Sequence, residues 1–69
     1  MDLPKAMKAL AKNVKSLRIS RGLTQEKMRD LGFNYRYFQK IEAGHVNVTL
    51  DTLVRLANTL KCNLPDLLR

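Results

Sequence analysis

The stretch that decides the fold spans residues 23–44 and reads LTQEKMRDLGFNYRYFQKIEAG. Apolar residues recur in it at helical spacing on both sides of Gly32, and Gly44 follows the second run. Glycine just past a helical pattern is typical of the left-handed residue that ends a helix. The stretch therefore predicts two short helices, at about residues 24–31 and 34–43, hinged at Gly32.

Residues that cap helix N-termini mark the starts of these two helices and of two more. Thr24, Asn34, Thr49 and Asn63 each carry a side-chain oxygen that can accept a hydrogen bond from a first-turn N–H. Each follows an apolar residue that has an apolar partner inside the helix, as in a hydrophobic staple; the pairs are Leu23/Met28, Phe33/Phe38, Val48/Leu53 and Cys62/Leu67. The pattern predicts further helices at about residues 49–61 and 63–68.

A longer first helix is expected from Pro4 to Arg21. One apolar stripe recurs along it at helical spacing and comprises Met7, Leu10, Ala11, Val14 and Leu17. Its lysines form a separate stripe, for which a solvated surface is the expected role; they are Lys5, Lys8, Lys12 and Lys15. In the fourth helix the residues expected to face inward are Leu50, Leu53, Val54, Ala57 and Leu60. Strand-like alternation is absent, so residues 1–69 predict one compact all-α domain of five helices.

Length, charge and cysteine content restrict the class of protein. A chain of 69 residues is one small domain. Its net charge of +7 attracts polyanions, whether nucleic acid or an acidic membrane surface. No signal peptide or membrane span is visible, and the single cysteine, Cys62, has no partner for a disulfide. We therefore expect a cytoplasmic protein that does not enter a membrane.

One cation departs from the helical pattern of the first helix. Arg18 falls at the edge of the apolar stripe, away from the lysines. A partly buried arginine needs a carboxylate, and Glu42, on the flank of the third helix, is a candidate. The alternative is an arginine whose head reaches solvent. Spacing alone leaves both alternatives open.

The outer face of the third helix carries the main functional signal. Phe38 and Ile41 predict its inner side, and Tyr37 is expected to pack beside them. The opposite side is polar and of the kind that hydrogen-bonds base edges in a DNA major groove. The predicted base contacts are Asn34, Tyr35, Arg36, Gln39 and Lys40.

Phosphate contacts are predicted on either side of that helix. Thr24 and Gln25 stand at the start of the second helix, where free N–H groups and the positive end of the helix dipole favour an anion. His45 and Asn47 lie in the loop after the third helix. His45 has no second ligand at metal-binding spacing and no matching nucleophile. The six acids are scattered and no glycine-rich phosphate loop occurs, so we predict no enzyme activity, no metal, no cofactor and no small-molecule ligand.

The order of these features resembles the phage-repressor-like (Cro/repressor, Xre-like) family of regulators. The resemblance covers roughly residues 10–68 and rests on VKSLR at 14–18, RGLTQE at 21–26, Gly32, Phe38, IEAG at 41–44, TLDTL at 49–53, Leu56-Ala57 and NLPDLL at 63–68. It implies a five-helix, lambda-repressor-like DNA-binding domain with a central helix-turn-helix at residues 24–43, and an ion pair between Arg18 and Glu42. It also implies a homodimer on double-stranded DNA with a pseudo-palindromic operator. The family usually has one residue more between Gln25 and Gly32, so either the second helix begins late or the hinge is tighter.

The sequence leaves several functional classes open. The main interpretation is a sequence-specific, repressor-like transcriptional regulator. A restriction–modification controller or an antitoxin would use the same domain. A protein-interaction module is a further alternative, favoured only if the outer face of the third helix formed an apolar groove. A lysine-rich first helix lying on a membrane is weakened because its apolar stripe is needed for the core. Candidates for a dimer patch are Val46, Val48, Leu64 and Leu68.

Overall fold

The computed structural model describes all 69 residues and consists of five helices joined by short turns. The helices are α1 (Leu3–Ser20), α2 (Gln25–Asp30), α3 (Tyr35–Glu42), α4 (Leu50–Leu60) and α5 (Leu64–Leu68). This confirms the predicted all-α class and the five-helix order. Every helix bound lies within one residue of the predicted one. The predicted ranges included cap residues at most ends, and α1 begins at Leu3, one residue before the predicted Pro4.

Side-chain caps begin the helices at the predicted positions. The side chains of Thr24, Asn34 and Thr49 accept hydrogen bonds from the N–H groups of Lys27, Tyr37 and Thr52, at 3.0, 2.9 and 3.2 Å. At Asn63 the cap works in the reverse direction, because its N–H donates to Asp66 Oδ2 at 2.9 Å. The cap of α1 was not predicted: Asp2 Oδ1 accepts a hydrogen bond from Lys5 N at 2.9 Å. Pro4 fits the first turn, where its missing N–H costs nothing.

The hinge between α2 and α3 is built on Gly32. Its φ of +105° is a conformation that L side chains rarely adopt. Gly32 N donates to Arg29 O at 3.0 Å and Phe33 N donates to Met28 O at 3.1 Å, which closes the end of α2 in a Schellman motif. Thr24 caps α2 at the predicted position, so the helix does not begin late, and it is six residues long, from Gln25 to Asp30.

The core lies where α1 packs against α3, α4 and α5, and α2 packs against α3. Phe33, before α3, and Phe38, within it, have ring centroids 5.9 Å apart, as expected for the predicted staple. Side chains of all five helices meet in this core; those below 2% exposure are Val14, Met28, Phe38, Ile41, Leu56, Leu60 and Leu67.

The inward face of α4 differs from the predicted one. Leu50 and Val54 are 67% and 41% exposed, whereas Thr52 and Leu56 are buried. Thr52 was not among the residues predicted to face inward, yet its hydroxyl accepts a hydrogen bond from Thr49 Oγ1 at 3.1 Å and is thereby satisfied in the interior. The prediction for Leu50 and Val54 was therefore wrong, and their exposure leaves an apolar ridge on α4.

Candidate nucleic-acid interface

The outer face of α3 is polar and unpaired. Phe38 and Ile41 are buried, and about half a turn of the wheel away Arg36, Gln39 and Lys40 are exposed. The ion pairs of the chain join Arg18 to Glu42 and Arg69 to Asp66, so neither Arg36 nor Lys40 is neutralised by a carboxylate. Ala43 shares this face and adds no bulk. The face therefore offers two cations and an amide to a ligand.

Tyr35 differs from the other predicted base-contact residues. It is half-buried, and its hydroxyl donates to Glu26 Oε1 at 3.4 Å across the hinge. The guanidinium carbon of Arg29 lies 5.6 Å from its ring centroid, within the range of a cation–π contact. Tyr35 therefore joins α3 to α2 as well as flanking the outer face.

Arg29 is a residue that the sequence analysis missed. It is exposed on α2 and lies over Tyr35, the first residue of α3, which adds a cation beside the start of the outer face. Nothing in the local sequence indicates this, because the contact depends on how two helices cross at Gly32. A helical wheel of α2 alone shows Arg29 as an exposed cation but does not show that it contacts Tyr35.

Asn34 and Tyr37 lie at the N-terminus of α3 and have different roles there. Asn34 uses its Oδ1 to cap the helix, and this leaves its side-chain N–H₂ available to a ligand. Tyr37 is half-buried and packs against the core, as expected for a residue beside Phe38 and Ile41.

The carboxylate of Glu42, on α3, links α3 to α1 and α2 through hydrogen bonds. Glu42 accepts from Arg18 Nε at 2.6 Å and Nη2 at 3.2 Å, and from Gln25 Nε2 at 3.0 Å. Arg18 Nη1 also donates to Leu23 O at 2.7 Å, in the turn before α2. The predicted Arg18–Glu42 ion pair is thus present, with side chains only 10% and 4% exposed. Bidentate geometry of this kind fixes orientation as well as distance.

The hinge is also supported from behind. Arg55 of α4 places its guanidinium carbon 4.7 Å from the Phe33 ring centroid. Its Nη2 donates to Gly32 O at 2.9 Å. Together with the Glu42 contacts, these interactions fix α3 from both sides while its outer face stays open.

The predicted phosphate-contact residues lie on both sides of α3. Thr24 is exposed at the start of α2, whereas the side-chain amide of Gln25 is engaged by Glu42. His45 and Asn47 are exposed in the loop that leaves α3, where His45 N donates to Lys40 O at 3.1 Å. At α2 the groups that remain for an anion are therefore the Thr24 hydroxyl and first-turn N–H groups.

Comparison with known proteins agrees with this geometry. A family model described as "Helix-turn-helix" matches residues 14–67, which include all of α2, α3 and α4. The chain belongs to this helix-turn-helix family, of the Cro/repressor type. Its members are DNA-binding regulators and not enzymes, and this helix-turn-helix protein is a DNA-binding transcriptional regulator.

One relative adds detail to the family assignment. This helix-turn-helix protein is 40% identical over 60 residues to control protein C.SmaI of Serratia marcescens. The match covers 86% of this chain and 71% of that protein. No solved structure matches the chain at a comparable level of significance.

Other kinds of site find little support in the structure. No three His, Cys, Asp or Glu side chains come together as metal ligands would. None of the helices has the length and hydrophobicity that crossing a membrane requires.

Burial raises the pKa of the Cys62 thiol, and nearby Asp66 raises that pKa further while Arg21 lowers it. The thiol is therefore held in its protonated, less nucleophilic form.

Proposed function

We propose that α3 is a recognition helix that enters the major groove of double-stranded DNA. The observation that carries this proposal is the exposed, unpaired face of Arg36, Gln39 and Lys40 on a helix fixed by Glu42 and Arg55. A groove about 12 Å wide admits an α-helix, and the side chains nearest its N-terminus meet base edges first.

Each side chain on this face has a chemical role that suits it. Arg36 is central and can donate two parallel hydrogen bonds to guanine N7 and O6, while Gln39 can pair with adenine in the same bidentate way. Asn34 and Lys40 flank these two and bind a base or a phosphate. Tyr35 packs its ring edge against a thymine methyl group from the position that Glu26 and Arg29 give it.

Backbone contacts on both sides of α3 would fix its register in the groove. Thr24 and the first N–H groups of α2, including that of Gln25, bind one phosphate. His45 and Asn47 in the following loop bind another. We add Arg29 to this set as a phosphate contact beside Tyr35, because it is exposed and cationic.

The regulator acts as a homodimer in this proposal. A single 69-residue domain buries too little surface for tight, specific binding, so two copies on a two-fold site are expected. A shallow groove with eight hydrophobic residues among its nine supplies a surface for the second copy; it is lined by Leu3, Ala6, Met7, Leu10, Val46, Asn47, Val48, Leu53 and Leu68. Two copies of net charge +7 repel each other, and this groove contains no cation.

The dimer groove includes three of the four predicted dimer residues. Val46, Val48 and Leu68 line it, whereas Leu64 packs against the core. The exposed ridge of Leu50 and Val54 stands on α4 beside Leu53 and extends the apolar surface.

Among the regulator classes we favour a restriction–modification controller. The relative C.SmaI is named a control protein, and the match covers most of both chains. A repressor-like mode, in which the dimer occupies a pseudo-palindromic operator, fits the same geometry. Because its proposed target is DNA, we expect the protein to act in the cytoplasm. A protein-interaction module is disfavoured because the outer face of α3 is polar and cationic instead of an apolar groove.

Selection of bound duplexes from a random pool tests this function. We expect enrichment of one sequence with two-fold symmetry, whose half-sites lie about one helical turn, ~34–36 Å, apart. A charge-neutral variant of Arg36 should select this site less well than the natural chain. If the variant selected the same symmetric site equally well, Arg36 of α3 would not take part in base recognition. A pool without any enrichment would contradict sequence-specific binding.

A further inference from the structure

A second site lies on the opposite side of α2 from the recognition helix. A cavity of ≈ 360 Å³ opens between the α1–α2 turn, α2 and the end of α4. Six residues line it: Arg21, Leu23, Lys27, Leu31, Thr59 and Lys61. Its volume falls at the lower end of the range for small-molecule sites, about 300–1,000 Å³.

The charges around this cavity are all of one sign. Arg21, Lys27 and Lys61 are cations, no acid lines the cavity, and none of the three takes part in an ion pair of the chain. Arg21 is immobilised, because its Nε and Nη2 donate to Leu60 O and Lys61 O at 3.0 and 3.2 Å. Cations that line one concave surface repel each other, and a bound anion offsets that repulsion.

The cavity also has an apolar side. Leu23 is half-buried, and Leu31, at the end of α2, is 46% exposed. Thr59 adds a hydroxyl that can donate or accept a hydrogen bond. A ligand that fits all of these groups has an anionic head and a short apolar body.

The backbone at Lys61 is consistent with a role for its side chain. Lys61 has a φ of +55° and ends α4 in the left-handed conformation that Gly22 and Gly44 adopt after α1 and α3, with φ of +70° and +76°. A residue other than glycine is strained in this conformation, because its Cβ crowds the following carbonyl oxygen. Glycine at position 61 would avoid that strain but would remove one of the three cations.

The site is separate from the DNA-reading surface. On α2, Gln25, Glu26 and Arg29 contact residues of α3, whereas Lys27 and Leu31 face the cavity. The bases that α3 would read and the cavity therefore lie on different sides of α2. Binding at the cavity would not depend on the proposed DNA recognition by α3.

We propose that this basic cavity binds a small organic anion, a carboxylate or phosphate monoester with a short alkyl or aryl group. The sequence analysis predicted no small-molecule ligand, because the cavity forms only when residues from three separate segments come together. Arg21 and Lys27 hold the anionic head, and Leu23 and Leu31 contact the apolar body.

Binding is measured on the full chain by NMR titration of its backbone amides with hexanoate, hexyl phosphate and, as the neutral control, hexanol. Ionic strength is held constant throughout. We expect saturable shifts confined to the residues of the cavity with at least one of the anions and none with hexanol. Shifts that rise linearly without saturation, or that spread equally to the lysines of α1, would overturn the proposal. Binding of an acidic peptide with no binding of either small anion would also overturn it, in favour of a protein partner.

Variants separate a built site from general attraction to a basic protein. Lys61→Gly removes a cation and also removes the strain of a non-glycine residue in the left-handed conformation. We therefore expect this variant to fold at least as stably as the natural chain. Combined with Lys27→Gln it should weaken anion binding by at least about tenfold. Lys12→Gln, on the surface of α1, is the matched control and should leave binding unchanged. Equal weakening by the control and by the cavity variants would contradict the site.

Discussion

At the residue scale, the position of α3 depends most on the hydrogen bonds that Glu42 accepts from Arg18 and Gln25. The Glu42 side chain is 4% exposed, and without Arg18 its carboxylate would keep Gln25 as its only side-chain donor. Breaking one side of a buried pair costs about 3–5 kcal/mol. We expect Arg18→Met to lower the free energy of unfolding by a similar amount, measured by urea denaturation. Lys12→Met, on the exposed stripe of α1, should change it little; equal midpoints for the two variants would contradict the structural importance of the pair.

Cys62 gives a prediction for pH dependence. Burial raises the pKa of its thiol in the folded state. A pKa that is higher in the folded than in the unfolded chain contributes stability below the unfolded pKa, and this contribution is lost as the pH rises above it. We therefore expect the unfolding midpoint to fall more between pH 7 and pH 10 for the natural chain than for Cys62→Ser. The same pH dependence in both proteins would show that the thiol makes no contribution.

Individual contacts could be predicted from the sequence only where a pattern pointed to them. Arg18 and Glu42 stand out because each falls beside an apolar stripe, and a family resemblance pairs them. Arg29 and Arg55 do not stand out, since their contacts with Tyr35 and Phe33 arise only when helices distant in sequence pack together. The engagement of Gln25 by Glu42 was invisible for the same reason.

At the scale of the elements, the backbone at Gly32 determines how α2 meets α3. Gly32 has a φ of +105°, outside the usual left-handed region, whereas Gly22 has a φ of +70° with no heavy atom within 4 Å of an added Cβ. Alanine in the left-handed region costs about 1–2 kcal/mol, and we expect Gly32→Ala to cost more than Gly22→Ala in thermal unfolding. The opposite order would contradict this account of the hinge.

The helix boundaries were predictable because their signals are local. Thr24, Asn34 and Thr49 bond the backbone three residues later, and that spacing is visible in the sequence. The end of α4 was less clear, because Lys61 takes a conformation for which glycine is the usual signal. The buried face of α4 was mistaken because Thr52 satisfies its hydroxyl with Thr49, a partner that polarity alone does not reveal.

At the scale of the whole molecule, the apolar groove around Leu68 predicts self-association. Leu68→Lys places a charge in the groove of both copies, because a two-fold interface presents each residue twice. We expect this variant to sediment as a monomer at concentrations where the natural chain is a dimer. Ile19→Lys adds the same charge at a residue that is 58% exposed outside the groove and should leave the dimer intact. A dimer that survives Leu68→Lys would place the interface elsewhere.

The central claim is that α3 reads bases through Arg36, and binding to single base-pair variants of the selected duplex tests it most directly. Affinities of the natural chain, Arg36→Ala and Lys12→Ala are compared on each duplex at one fixed salt concentration. The account predicts that Arg36→Ala loses about 1–3 kcal/mol of discrimination at one base pair in each half-site, whereas Lys12→Ala preserves the sequence preference. An Arg36→Ala protein that keeps full discrimination at every base pair would contradict the claim.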